Sequence, residues 1–533
     1  MNIQPYKKLV LVVLDGFGIA SASHGNAITL AEPNTLNSLV MNYPATTLQA
    51  SGPAVGLPWG EKGNSEVGHL NMGAGRIVGQ DLSRITLAIE DRSFFKNEKF
   101  LTAIEHVKKN NSSLHLVGLV SPGGVHSYDE HLYALLGLAS EHKLKKVFIH
   151  FFTDGRDTPP KIALDTLERL TKKIENFGVG SIASVTGRFY AMDRAEHWNL
   201  TEATYKALVM GEGAKFKSAK DAISENYKQN ISDEMIPPAV ILQEDGLAAK
   251  ISDNDAVIHF NFRPDRALQI VRALTDKGFD KFSSPLPQPK NLFSVSLTEY
   301  ARDLNVQVAF PQQEIINGFT ELISKKGLRQ FHIAESEKYA HISVFFNGGA
   351  INMFPGEDRE IVTSPSSNYQ NYQDVPEMSA YKVTETLLGR LNSSYSFNLV
   401  NFANPDMVGH TGNLNASIEA IKVVDECIKK IADACLEKDI CLIITADHGN
   451  IEELLDIHSG GIDKEHSTNP VPMILVAKQF KYKIQKDRSL SSLASVIPVG
   501  VLSDIAPTML ELLGIEKPQE MTGISLLSHL IES

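Results

Sequence analysis

Residues 400–470 hold three short runs rich in metal-binding side chains: Asn404-Pro405-Asp406-Met407-Val408-Gly409-His410, Thr445-Ala446-Asp447-His448-Gly449-Asn450 and Glu465-His466-Ser467. Carboxylate oxygens and imidazole nitrogens set at the ends of apolar strands are what a cage for divalent cations needs. Asp406, His410, Asp447, His448 and His466 are too many donors for one tetrahedral site, so the pattern predicts two adjacent metals. The far end of the chain can complete the set. Asp15 follows the apolar run Leu9-Val10-Leu11-Val12-Val13-Leu14, and Ser65 lies in the glycine-rich loop Gly60-Glu61-Lys62-Gly63-Asn64-Ser65-Glu66-Val67-Gly68-His69. That loop is no P-loop, because its lysine precedes the second glycine and no Ser or Thr directly follows it. Its serine either caps a helix or, beside a divalent cation that stabilises the alkoxide, acts as a nucleophile. Seven ligands divide into two sites of three or four, and a donor set without sulfur suits Mn²⁺ or Zn²⁺ better than Ca²⁺.

A second group of residues could bind an anion. Ser121 to Ser127, Asp154 to Thr158, Thr186 to Arg194 and Asn261 to Arg266 each follow a strand-like run, and they carry His126, Arg156, Asp157, Arg188, Arg194, Arg263 and Arg266. Five arginines at strand ends supply local positive charge in a chain whose net charge is 51 − 63 = −12. Arginine forks bind phosphate and carboxylate bidentately, as a small substrate bearing both groups would require. If Pro264 opens a helix, Arg263 and Arg266 share a face at its N-terminus.

Two alternations of strand and helix must position these groups. The apolar runs Leu114–Val120, Val147–Thr153, Ile182–Thr186, Ala256–Phe262 and Leu292–Leu297 predict one α/β sheet. A second sheet is expected from Leu9–Leu14 together with Phe397–Phe402, Cys441–Thr445 and Val471–Val476, all read as parallel-type strands. Lys338 stands just past a short strand beginning at Phe331, and Phe354 to Pro376 reads as a long surface loop or hinge. Asp15 and Asp447 belong to one kind of site but lie at opposite ends of the chain. The economical organisation is therefore an α/β fold with a discontinuous metal-binding domain, residues 1–78 and 313–533, and an inserted substrate-binding α/β domain, residues 79–312.

The acidic balance argues against nucleic acid and anionic membrane as partners. Cys427, Cys435 and Cys441 are odd in number and lack a CxxC, which disfavours a disulfide framework or thiolate metal site and fits a reducing cytoplasm. The first apolar run lacks the length and cleavage site of a signal peptide, and no stretch has the length of a membrane span.

The Asp447-His448-Gly449-Asn450 run, the Asp15 strand end, the Gly63-Asn64-Ser65-Glu66-Val67-Gly68-His69 loop and Asn404 to Asn413 together resemble the cofactor-independent (2,3-bisphosphoglycerate-independent) phosphoglycerate mutases, within the alkaline phosphatase superfamily. The inserted segment carries matching signatures: Ser-Pro-Gly-Gly-Val-His-Ser, Asp-Gly-Arg-Asp-Thr, Gly-Arg-Phe-Tyr-Ala-Met-Asp-Arg and Asn-Phe-Arg-x-Asp-Arg. The resemblance implies an alkaline-phosphatase-like sheet and interconversion of 3-phosphoglycerate and 2-phosphoglycerate in glycolysis and gluconeogenesis. It further implies two Mn²⁺ per chain, no requirement for 2,3-bisphosphoglycerate, and a cytoplasmic monomer. By the same resemblance Asp406, His410 and His466 would hold one metal, and Asp15, Ser65, Asp447 and His448 the other. Ser65 would become phosphoserine. His126, Arg156, Asp157, Arg188, Arg194, Arg263, Arg266 and Lys338 would bind substrate, with Asp157 moving protons on the glycerate hydroxyls and Lys338 neutralising the phosphoryl group. A metal-dependent phosphomonoesterase on the same fold is the alternative, and the arginine-rich insertion weighs against it.

Overall fold

The computed structural model describes residues 4–366, 368–455, 459–482 and 487–532. In chain order the strands are β1 (Leu9–Leu14), β2 (Ala45–Gln49), β3 (Leu114–Leu119), β4 (Val147–Thr153), β5 (Ser181–Gly187), β6 (Ala214–Phe216), β7 (Ala239–Ile241), β8 (Ala256–His259), β9 (Phe293–Ser296), β10 (Gln307–Val308), β11 (Arg329–Glu335), β12 (Glu357–Val362), β13 (Tyr395–Phe402), β14 (Cys441–Thr445), β15 (Val471–Val476) and β16 (Gly500–Val501). The chain divides into two compact units, residues 1–80 with 314–533, and residues 81–313.

The discontinuous unit is built on an eight-stranded sheet of order β12-β11-β13-β1-β14-β15-β2-β16. Strand β1 lies at its centre, parallel to both β13 and β14, and all six of its residues are buried. A continuous run of Leu and Val is what a parallel strand covered on both faces demands. The first and last thirds of the chain thus share one sheet, which brings the carboxyl ends of β1, β13 and β14 side by side. The inserted unit has its own eight-stranded sheet, β10-β9-β8-β3-β4-β5-β7-β6, in which β3, β4, β5 and β8 run parallel.

Three expectations from sequence require correction. Strand β15 runs antiparallel to both β14 and β2. A parallel return needs a crossover, usually a helix, whereas the described residues between β14 and β15 contain none. The stretch read as a long loop from Phe354 contains β12, an edge strand beside β11. Its sequence, Glu-Asp-Arg-Glu-Ile-Val, carries the charges that protect a sheet edge and hide a strand from hydrophobic periodicity. The helix expected to open at Pro264 begins instead at Leu268, after a turn in which the N–H groups of Ala267 and Leu268 donate to the Pro264 carbonyl. Arg263 and Arg266 therefore precede the helix.

Among the described residues no helix is long and apolar enough to cross a membrane. The three cysteines are free and buried.

Candidate active site

Ser65 is the first residue of the helix Ser65–Ala74 but does not cap it. The side chain of Asn64 accepts the Val67 N–H at 2.9 Å and takes that role. The Ser65 hydroxyl is left free for other contacts: Oγ lies 3.0 Å from Asp15 Oδ1, 3.0 Å from His448 Nε2 and 2.8 Å from Lys338 Nζ. Lys338, delivered by the turn Ser336–Lys338 that follows β11, also stands 2.6 Å from Asp15 Oδ1 and 2.6 Å from Asp406 Oδ2. Burial opposes its charge, but Asp15, Asp406 and Asp447 outweigh burial and raise its pKa above the ordinary lysine range. Burial likewise opposes ionisation of Asp15 and Asp406, and Lys338 overcomes it, holding both well below the usual carboxylate range. Gly16 makes room for this convergence. Its φ is +71°, and a Cβ there would stand 2.8 Å from the Asp406 Cα.

Asp406 and His410 lie four residues apart, Asp406 in the short helix Asn404–Gly409 beyond β13 and His410 capping its C-terminus. Asp406 Oδ1 is 3.2 Å from His410 Nε2 and 3.3 Å from His466 Nε2, and the two imidazole nitrogens are 3.2 Å apart. Ligands about 2.0–2.1 Å from a tetrahedral metal stand roughly 3.3 Å from one another, so this triangle has the edge length of a coordination shell. The protonation of the rings agrees. His410 Nδ1 bonds the Lys464 carbonyl at 2.7 Å, His466 Nδ1 the Gly63 carbonyl at 2.8 Å and His448 Nδ1 the Gly449 carbonyl at 3.2 Å. A carbonyl only accepts, so each Nδ1 carries a proton and Nε2 is the nitrogen turned toward the carboxylates, the one that would bind a metal once deprotonated. Two imidazole nitrogens this close beside a carboxylate share a proton or a metal ion, and a divalent cation can replace the proton.

The remaining donors assemble next to this triangle. Asp15, Asp447 and His448 are fully buried, and His448 Nε2 lies 3.5 Å from Asp15 Oδ1 and 3.7 Å from Asp447 Oδ2. Asp447 Oδ1 accepts the N–H groups of Gly16 and His448, while Oδ2 is buried without a hydrogen-bond partner. Burial disfavours the charged His448 ring, yet Asp447, Asp15 and Asp406 push its pKa up to about 9. Asp15, Asp406 and Asp447 thus face Lys338 and a charged His448 ring. Three buried carboxylates, one of them with an oxygen that has no hydrogen-bond partner, beside imidazole nitrogens that hold protons a metal could replace, fit two divalent cations.

In the inserted unit the strand-end residues also converge. Arg188, almost wholly buried, reaches Asp154 Oδ1 at 2.7 Å and Asp157 Oδ2 at 2.5 Å through Nη1. His126 lies 3.5 Å from Asp265 Oδ1 and 3.9 Å from Asp157 Oδ2. Asp265 in turn pairs with Arg194 at 2.9 Å and Arg263 at 3.1 Å. Arg156 contacts Glu234, and Arg266 donates to the Met192 carbonyl. Burial and then the repulsion of Arg188, Arg194 and Arg156 lower the pKa of Arg266. Burial followed by Arg188 lowers His126 to about 4, so the ring is neutral at pH 7. Like charges gathered this closely cost energy unless an anion occupies the space between them.

The family profile described as "BPG-independent PGAM N-terminus" matches residues 85–302. The chain is 49% identical to the 2,3-bisphosphoglycerate-independent phosphoglycerate mutase of Clostridium beijerinckii over 98% of its own length and 99% of that protein. The chain belongs to the 2,3-bisphosphoglycerate-independent phosphoglycerate mutase family. The relative from Acetivibrio thermocellus is 47% identical over the same shares of both chains. Among solved structures, the phosphoglycerate mutase of Leishmania mexicana, described at low cobalt concentration, covers 98% of this chain and 99% of its own at 28% identity, with a TM-score of 0.58. The family's N-terminal profile falls inside the inserted unit, so the arginine cluster lies within the matched segment.

Several residues in the two clusters were not singled out from sequence. His69 Nδ1 bonds the Ser65 carbonyl at 2.9 Å and lies 3.2 Å from Asp447 Oδ2. Asn401 donates to Asp15 Oδ2 at 2.7 Å and stands 3.1 Å from His69 Nε2. Although Asp15, His69 and Asp447 cluster tightly enough to hold an ion, the carbonyl of Ser65 requires a proton on Nδ1 and Asn401 occupies Nε2. His69 therefore orients the serine backbone and is not a free ligand. Asp154, which fixes Arg188, lay unremarked inside a quoted motif.

Proposed function

We propose that the protein interconverts 3-phosphoglycerate and 2-phosphoglycerate through a phosphoserine on Ser65, with two Mn²⁺ bound. The observation carrying this reading is the Ser65 hydroxyl, released from capping and touching Asp15, His448 and Lys338 at once. Asp406, His410 and His466 would hold one ion, and Asp15, Ser65, Asp447 and His448 the other. Bound there, the cations would neutralise the phosphoryl oxygens and favour the serine alkoxide.

The chain's own groups account for the rest. Lys338 donates to Ser65 Oγ and so stabilises negative charge developing on it. Ser65 Oγ forms a bond to phosphorus as the bond from phosphorus to the substrate O3 breaks, and O3 takes up a proton. O2 then gives its proton to the carrier that protonated O3 and attacks the phosphoserine, and the bond from phosphorus to Ser65 Oγ breaks to return the alkoxide. Arg156, Arg188, Arg194, Arg263 and Arg266 retain the glycerate between the two transfers. Asp157, held by Arg188, is the proposed proton carrier. Neutral His126 adds hydrogen bonding without charge.

The test supplies metal-free protein with Mn²⁺ and 3-phosphoglycerate, omits 2,3-bisphosphoglycerate, and reads 2-phosphoglycerate and free phosphate together. Metal-dependent formation of 2-phosphoglycerate with little free phosphate is expected. Stoichiometric free phosphate would favour a phosphomonoesterase instead.

A further inference from the structure

Glu452 is a carboxylate only 1% exposed that no lysine or arginine pairs with among the described residues. Four neutral donors hold it, from separate stretches of chain. Oε2 accepts the Gly18 N–H at 3.0 Å and the Asn450 N–H at 2.9 Å, and Oε1 accepts from the Ser467 hydroxyl and from Asn469 Nδ2 at 3.0 Å. Each donor is next to a metal-ligand candidate. Gly18 follows Asp15 by three residues, Ser467 is adjacent to His466, and Asn450 donates through Nδ2 to Asp406 Oδ1 at 3.0 Å. The carboxylate also accounts for two glycines in the motifs, since a Cβ at Gly18 or at Gly449 would collide with Glu452 Oε1.

Burying a carboxylate on neutral donors costs free energy that a purely structural position would avoid with an apolar side chain. What the arrangement achieves is geometry. The segment bearing His466 has no helix to brace it; Glu452 ties its far end through Ser467 and Asn469, and a backbone bond from Ser467 N to the Gly449 carbonyl runs alongside. Through Asn450 the same carboxylate sets the oxygen of Asp406 that faces His410 and His466.

We infer that Glu452 is a positioning residue that brings His466 and Asp406 into register, so that the Asp406, His410 and His466 triangle closes on its metal. The inference rests on the two-metal reading above. The other donor set depends on it less: Asp15 is held by Asn401 and Asp447 by the N–H groups of Gly16 and His448, and its one link to Glu452 is the Gly449 carbonyl shared by His448 Nδ1 and the Ser467 N–H. Loss of Glu452 therefore weakens one metal more than the other.

The experiment titrates metal-free protein with Mn²⁺ and follows free Mn²⁺ by electron paramagnetic resonance. The parent is expected to take up two equivalents. Glu452→Ala should keep one near parental affinity and bind the other at least tenfold more weakly, the pattern also expected of His466→Ala. Glu452→Gln, which retains an acceptor for Gly18 and Asn450, should fall between. Ser467→Ala cuts only the link to the His466 side and should weaken the same equivalent several-fold. It decides the matter if Glu452→Ala does not fold. Equal weakening of both equivalents, or parental binding in Ser467→Ala, overturns the role of Glu452 alone. A parent that binds fewer than two equivalents overturns the two-metal reading and this role with it.

Discussion

Replacing Lys338 with methionine separates the charge of this residue from its volume. Its ammonium stands 2.6 Å from both Asp15 Oδ1 and Asp406 Oδ2. At an effective dielectric constant of about 20, each contact is worth roughly 6 kcal/mol before desolvation, and desolvation removes much of that. Deleting one partner of a buried ion pair costs about 3–5 kcal/mol, because the other is left uncompensated. At about 2.1 cal/mol/K per residue of the discontinuous unit, metal-free Lys338→Met should thus melt roughly 5–8 °C below the metal-free parent. The pKa of Lys338 is raised in the folded state, so its contribution is complete below the ordinary lysine value and is lost only as pH rises through the higher folded one. The deficit should accordingly be flat from pH 6 to 9. Saturating Mn²⁺ should erase most of it, since divalent cations neutralise the same carboxylates. Turnover should not recover, because the donor 2.8 Å from Ser65 Oγ is gone. Loss of one such donor lowers kcat by about 10²–10³. Calorimetry with and without Mn²⁺, alongside the 3-phosphoglycerate assay, measures both effects. A variant as stable as the parent without metal, or one turning over within tenfold of it with metal, would refute the reasoning.

Ser65→Ala should abolish formation of 2-phosphoglycerate while Mn²⁺ uptake, measured by the same resonance titration, largely persists; substantial residual turnover would exclude the nucleophile. Arg188→Met strands Asp154 and Asp157 beside one another, so the variant should lose about 3–5 kcal/mol in urea unfolding and its KM for 3-phosphoglycerate should rise at least tenfold. An unchanged KM would remove Arg188 from the substrate site. His259 is buried with its pKa pushed down to about 3 by burial. The unfolded chain binds this proton below about 6.5 and the folded chain does not, so stability falls as pH drops from there toward 3. The stability lost between pH 7 and 5 should be about 2 kcal/mol smaller in His259→Gln, and equal losses in urea titrations at the two pH values would contradict the assignment.

The gathering of Asp15, Asp406, Asp447 and His448 was legible because their chemistry coincides with the periodicity. Leu9–Leu14 and Cys441–Thr445 are continuous apolar runs, buried as parallel neighbours, and Asp15 and Asp447 stand where each run stops. The four-residue spacing of Asp406 and His410 likewise survives as one helical turn. What escaped sequence reading depends on partners distant in the chain. Lys338 was named from the resemblance, but its pairing with Asp15 and Asp406, 323 and 68 positions away, is encoded by no local pattern. His69 stands in the sequence only as the end of the glycine-rich loop, whereas its proton is fixed by the Ser65 carbonyl and its other nitrogen by Asn401, 332 positions on. The antiparallel direction of β15 follows from the same cause. The described residues between Asp447 and Val471 bear His466 and the Ser467 anchor and contain no helix to carry the chain back for a parallel return. Function here sets topology: a loop that must turn a histidine toward Asp406 delivers the next strand from the same edge of the sheet, and the pairing direction is then determined.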